Sequence, residues 1–417
     1  MGAVPSDAGM RQSGESRYGW VVVGSAFLIT FITCGINFSF GVLMLPIVNE
    51  MGWSRGLVSS VMLVAGGVYC ITLLAVGPLS ERYGYRRLLA ASLASMGIGL
   101  LLSSQIHQLW QLYIFNGLFI GLSIAASYAI PAAVVALWFT QRQGLALGVA
   151  TLGVSLGTAF VPPCISWLIG MLGWRTALAI AGVAAMAMGI PAALLIRQPP
   201  TVGQQEGEGR EDKDGIDSDV GGLTLGDAVR SRAFWVLFGT LLIFLTGLSL
   251  IMLHLVPCAI DAGLAPVQAA FLLTLVGIAG IAGRLISGVA SDRYGPRPVM
   301  LCGLALLALI TLLLALRQHD WFFYLFAALF GLGYSGVATM MVRMTRYIFG
   351  NRALGSIFSV LMIADGIGMG LGPWLAGYIF DISGGYSLTF MGVAVALALA
   401  AVMTGVVRPA TAGRANR

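Results

Sequence analysis

The segment GPLSERYGYRR at residues 77–87 returns as GVASDRYGPRP at residues 288–298. The offset of 211 residues pairs Glu81 with Asp292, Arg82 with Arg293, Gly84 with Gly295 and Arg86 with Arg297. Each copy closes a long apolar run, so the chain reads as one unit written twice. A second echo lies in GVSLG (153–157) and GIGMGLG (366–372), each followed by proline and tryptophan.

Composition says what kind of unit is duplicated. Of 417 residues 58% are hydrophobic and only 10% charged, against about 25% charged in a soluble domain. The mean hydropathy is +0.91. Such a chain cannot cover a globular surface with charge, and its basic residues form no wettable nucleic-acid-binding face. The five cysteines (Cys34, Cys70, Cys164, Cys258, Cys302) sit in apolar runs without disulfide, metal-ligand or redox spacing, so no metal or cofactor is expected. A lipid bilayer is the implied surrounding.

A membrane helix needs ~20 mostly apolar residues, because unpaired backbone groups are too costly in hydrocarbon. Twelve such runs can be read, near 20–44, 57–79, 88–105, 109–136, 144–170, 175–196, 233–256, 266–290, 298–316, 321–343, 354–379 and 385–407. The expected fold is an all-α membrane protein of twelve helices in two pseudo-symmetric six-helix bundles, at 20–196 and 233–407. Tails at 1–19 and 408–417 and a linker at 197–232 complete it. The linker's middle, GEGREDKDGIDSD, is too polar to fold alone. The first run is too long for a signal-peptide core and has no cleavage pattern behind it. Of the 23 Lys and Arg, 19 fall in the termini and the loops after even-numbered runs. Arg55, Arg175 and Arg317 lie in the opposite loops, and Arg284 lies inside a run. Basic residues accumulate on the cytoplasmic side, so both termini and the linker are expected there, in a cell membrane. Parallel repeats of this kind commonly hold a substrate site between them near mid-membrane.

Ionisable residues inside runs need a reason. Arg284, in GIAGRLISGVASD, costs ~2.5–3.5 kcal/mol at a helix centre even on a lenient scale. It lies eight residues before Asp292, about 12 Å along a helix. The position 211 residues earlier is Leu73, so the duplicated fold does not demand arginine. A guanidinium can hold a carboxylate by two parallel hydrogen bonds; the plainer alternative is a structural arginine tied to helix ends. Asp365, in LMIADGIGMG, is the acid deepest in a run and a candidate proton carrier, or else a fixed pairing or packing residue. His254, at the end of the seventh run, is a second proton candidate or simply an interfacial histidine. Asn37, Asn116, Tyr128 and Tyr334 are polar groups able to line a cavity or to bridge helices. The G-x-S-x-G of GVSLG, around Ser155, lacks the strand–turn–helix context of a hydrolase, and no enzyme is expected.

The two acid–basic–Gly–basic loops resemble the loop signature of the major facilitator superfamily. A merely topogenic basic loop would explain one copy, not two at one offset. The resemblance makes Glu81, Arg82, Arg86, Asp292, Arg293 and Arg297 gating residues, each loop docking on neighbouring helix ends. LWFTQRQGLALGVATLGVSLG (137–157) is similar to the helix-five signature of monocarboxylate transporters and oxalate/formate antiporters. RYGW at 17–20 and RSRAFWVL at 230–237 resemble that family's leads into helices one and seven. The resemblance implies that Arg284 binds substrate carboxylate, and that Asn37 and Phe38 of GINFSF, Tyr128 and Tyr334 line the cavity. Two departures matter. The second cation of the oxalate antiporters aligns with Met362, which favours a monocarboxylate. The helix-one lysine and helix-eight acid of the animal carriers are missing, the latter position being Gly280, so proton coupling needs another group, such as Asp365. The resulting expectation is a proton-coupled carrier of lactate- or pyruvate-like acids working by alternating access, with a carboxylate exchanger or, further off, a drug exporter as alternatives.

Overall fold

The computed structural model describes residues 8–139, 142–197, 199, 222–316 and 319–407. Among them, eleven helices are long and apolar enough to cross a membrane. One of these, Gln143–Leu195, has 53 residues and is broken at Gly173, where φ is +79°. Glycine alone adopts that angle without a Cβ clash, and the break turns one helix into two crossings. Counted with that break, the described residues hold twelve span-length segments: α1 (Ala8–Met51), α2 (Arg55–Tyr83, interrupted at Ser60), α3 (Tyr85–Ser103), α4 (Leu109–Trp138), α5 (143–172), α6 (174–195), α7 (Arg232–Asp261), α8 (Pro266–Tyr294), α9 (Pro296–Leu316), α10 (Asp320–Phe349), α11 (Leu354–Ser383, interrupted at Met362) and α12 (Ser387–Val406).

Helix α1 starts well before residue 20 and ends after residue 44, because helical hydrogen bonding continues beyond the hydrocarbon-length stretch that an apolar reading detects. Helix α4 carries one π-helical segment, Tyr113–Leu118. The middle of the linker, the first seven residues and the tail at 408–417 lie outside the described residues. The linker's end is not structureless. Its Thr224 caps a short helix, Leu225–Arg230, by accepting from Asp227 N at 3.2 Å. Leu223 N donates to Phe349 O at 2.9 Å and ties this stretch to the end of α10.

The duplication is visible in the backbone. Gly84 joins α2 to α3 at φ +81° and Gly295 joins α8 to α9 at φ +83°. Both corners need the conformation that only glycine adopts cheaply. Two apolar cores follow, one built mainly from α1–α6 with Leu253 of α7, the other mainly from α7–α12 with Val42 of α1. Small residues bring the halves together along three seams. A Cβ on Gly41 of α1 would meet the backbone of Leu253 in α7, one on Gly277 of α8 the backbone of Ser155 in α5, and one on Gly66 of α2 the backbones of Gly366 and Gly370 in α11. Close backbone approach through small residues is the usual way membrane helices pack.

Candidate functional site

The site is built where these seams reach mid-span. Arg284 stands ten residues before the end of α8, about 15 Å from that end. Its Nη1 donates to the carbonyl of Thr151 in α5 at 2.7 Å, across the boundary between the halves. Among the described residues this is its one hydrogen bond, and the side chain keeps part of its surface accessible. A guanidinium has five N–H donors, so most of its binding capacity is uncommitted. Asp365 sits eleven residues into α11, and its Oδ2 accepts from the Tyr69 hydroxyl of α2 at 3.1 Å, again across the boundary. Cys34 of α1 donates to the Tyr128 hydroxyl of α4 at 2.9 Å. The Cys34 thiol lies within electrostatic reach of both Arg284 and Asp365, and the Tyr128 hydroxyl within reach of Asp365 and Tyr69. Arg284 and Asp365 nonetheless form no ion pair with each other. Helices α1, α2, α4, α5, α8 and α11 thus converge on one polar centre. A cation stands on one side of it and an acid on the other.

The remaining candidates divide. Phe38 of α1 packs against the core of the other half, which places it at the boundary. Asn37 and Asn116 line a small cavity inside the first bundle, with Phe40, Leu100, Ile165 and Leu178 around them. Its volume, about 20 Å³, suits a single water rather than a metabolite. Tyr334 is buried in the second bundle, stacked on Phe330 at 5.8 Å between ring centroids, with its hydroxyl unpartnered. His254 is fully buried near the end of α7 farther from the linker and has both ring nitrogens occupied. Nε2 lies 2.9 Å from the Pro373 carbonyl, which can only accept, so Nε2 carries the proton. In the neutral ring Nδ1 then accepts from the Tyr386 hydroxyl at 3.0 Å. Proline 373 is eight residues from Asp365 along α11, about 12 Å, so His254 belongs to a different layer. Ser155, inside GVSLG, has a buried hydroxyl without a partner.

The paired loops keep to their own halves. Asp292 bonds Arg343 at 2.6 Å. Arg297 donates to the carbonyl of Thr404 at 3.3 Å and to that of Gly405, holding the end of α12. Glu81, Arg82, Arg86 and Arg293 are exposed. Arg82 and Arg293 each lie over the ring of the following tyrosine, at 5.3 and 5.5 Å. Among the described residues, no hydrogen bond or ion pair joins the halves in the last 13 residues of α2 or the last ten of α8. Among the described residues, the hydrogen bonds and ion pairs that join the halves lie at mid-span and toward the face opposite the linker.

The family model of the Major Facilitator Superfamily matches residues 26–289 and 247–417. The chain belongs to the major facilitator superfamily. As a member it is a multi-pass membrane transporter rather than a member of an enzyme family. Similar curated proteins include mouse Monocarboxylate transporter 12, 26% identical over 94% of this chain and 86% of that protein. Rat Monocarboxylate transporter 3 is 27% identical over 97% and 81%. An uncharacterized MFS-type transporter of Escherichia coli, YhjX, is 28% identical over 77% of each chain. Among solved structures, a bacterial homologue of the human lysosomal transporter Spinster superposes with a TM-score of 0.76 at 14% identity, covering 94% of this chain and 97% of that one. The nucleoside transporter NupG does so at 0.73 and 14%, covering 92% and 99%. These two share the fold.

Sequence reasoning did not find Tyr69, Cys34 or the Thr151 carbonyl, which carry no charge and look like ordinary span residues. It also passed over Arg55, which reads as a loop arginine but is bonded on all sides.

Proposed function

We propose that the chain carries small monocarboxylates of the lactate or pyruvate type, with Arg284 gripping the carboxylate. The observation that carries this reading is a guanidinium between the halves with one bond to protein and the rest of its donors unspent. A fully satisfied structural arginine would leave nothing for an anion. The relatives named monocarboxylate transporters support the substrate class. Phe38, at the boundary between the halves, and Tyr128, bonded to Cys34, suit a short apolar tail. Asn37, Asn116 and Tyr334 act within their own bundles.

The single Arg284–Thr151 bond also gives substrate binding a structural consequence. It ties α8 to α5, and a carboxylate that takes over the guanidinium weakens that tie. Asp365 supplies the coupling. An ionised Asp365 repels an incoming anion, while a protonated one does not, so anion and proton bind together. Moving an uncompensated anion against the membrane potential costs ~2.3 kcal/mol per charge per 100 mV, which the proton cancels. With the linker face taken as cytoplasmic from the arginine bias, a conformation joined at the opposite face is inward-facing, and Arg82, Arg86, Arg293 and Arg297 close the linker face in the other half of the cycle.

The test is uptake of labelled lactate, pyruvate, formate and oxalate into proteoliposomes under an imposed pH gradient, with Arg284→Gln alongside. Gradient-driven uptake of lactate and pyruvate that Arg284→Gln abolishes is the expected result. Full uptake by that variant removes the anchor, and counterflow without response to the gradient favours anion exchange.

A further inference from the structure

Neither the central site nor the paired loops account for the contacts that close the face opposite the linker. One residue of the first half makes most of them. Arg55, the first residue of α2, donates from Nη1 and Nη2 to both carboxylate oxygens of Asp261 at the end of α7, at 2.5 and 2.8 Å. Nη1 also donates to the Tyr386 hydroxyl at the start of α12, at 2.9 Å. The guanidinium lies over the Phe380 ring of α11, 3.9 Å from its centroid. The backbone N–H groups of Arg55 and Gly56 donate to Asp381 at 3.1 and 2.8 Å, so the second half caps the N-terminus of a first-half helix. Beneath lies Ser59, fully buried, with its hydroxyl 3.3 Å from His254 Nε2. The chain Arg55–Tyr386–His254–Pro373 continues the contact inward.

Apart from the Tyr386–His254 and His254–Pro373 bonds, which lie within the second half, the bonds of this set cross from one half to the other. Opening this face by rocking the halves breaks them together, and the linker face shows no counterpart among the described residues. The Arg55 side chain is only 12% exposed, so removing Asp261 strands a largely buried guanidinium, whereas Asp261, 36% exposed, turns to water when Arg55 is removed. We propose that Arg55 is the latch of this outer gate, and that its bidentate bond to Asp261 sets the balance between the two access states. The inference rests on the alternating-access reading, but its test needs no substrate.

The experiment uses the full chain in nanodiscs, where both faces meet solvent, and reads the rate at which an impermeant maleimide labels an introduced cysteine, corrected for the native cysteines. Ser59→Cys reports the outer gate and Thr151→Cys the linker side. Arg55→Ala is expected to speed labelling at position 59 at least tenfold and to slow it at position 151, with Arg55→Lys between. Asp261→Asn, which leaves the arginine in place, is expected to act in the same direction and decides the matter if Arg55→Ala does not elute as a monodisperse protein. Unchanged rates at position 59 in folded variants overturn the proposal. Faster labelling at both positions also overturns it, since general loosening is not a shift between two states.

Discussion

Arg284 spends one of its donors on a carbonyl, and in the proposed function the others hold the substrate, so the planar fork matters as well as the charge. Arg284→Lys keeps the charge but loses the bidentate grip. Losing one charge-assisted hydrogen bond, ~1.5 kcal/mol, raises the half-saturating lactate concentration about tenfold, and uptake at graded concentrations checks this. Asp365→Asn retains an oxygen for the Tyr69 hydroxyl but cannot take up a proton. It should preserve lactate counterflow while making net uptake insensitive to a pH gradient, and parallel assays of the two modes separate these outcomes. Both residues were legible before the structure, because a charge inside an apolar run stands out and needs a partner. Their partners were not legible. Thr151 contributes a backbone carbonyl, which any residue has, and Tyr69 differs little in sequence from the tyrosines that merely pack. Asn37 and Asn116 were polar enough to suggest a cavity. The cavity they line is an internal one, since a run of apolar residues does not say which way its polar members turn.

At the level of helices, glycines decide where backbones touch and where they turn. Gly66 of α2 faces the backbones of Gly366 and Gly370 of α11, directly beside the Tyr69–Asp365 bond. Gly66→Val has no flexible side chain to displace and must push α2 away from α11. It should break that bond and lower pH-driven uptake while leaving the anion affinity of the Arg284 side largely intact. Gly173→Ala meets no neighbouring atom, so its cost is the backbone itself, since φ +79° with ψ +159° is a region essentially reserved for glycine, ~1–3 kcal/mol. A fall of a few degrees in the melting temperature of the purified protein, with transport retained, is the expected outcome. Helix number and approximate ends were readable from hydrocarbon-length runs. The π-helical segment in α4, the interruption at Met362 and the short helix at Leu225–Arg230 were not, since each is set by tertiary packing rather than by apolar count.

For the whole molecule, the 211-residue repeat foretold two bundles, and the paired corners at Gly84 and Gly295 display it in the backbone. The arginine bias has a physical complement at the opposite face. Arg55 and Arg175, exceptions to the bias, are both held in ion pairs, with Asp261 at 2.5 Å and Glu50 at 3.0 Å. That second role was hidden, because the partner of Arg55 lies 206 residues away. A fluorescent protein fused after Arg417 should fluoresce and a periplasmic phosphatase fused there should stay inactive; the reverse pattern would invert the assigned orientation. The claim on which the transport account turns is that the unspent donors of Arg284 hold the substrate carboxylate. Equilibrium binding of labelled lactate to the purified protein, with Arg284→Gln beside it, isolates that step from flux and coupling. Binding weakened by tenfold or more in the variant is the predicted result; equal affinity in the two proteins would contradict it.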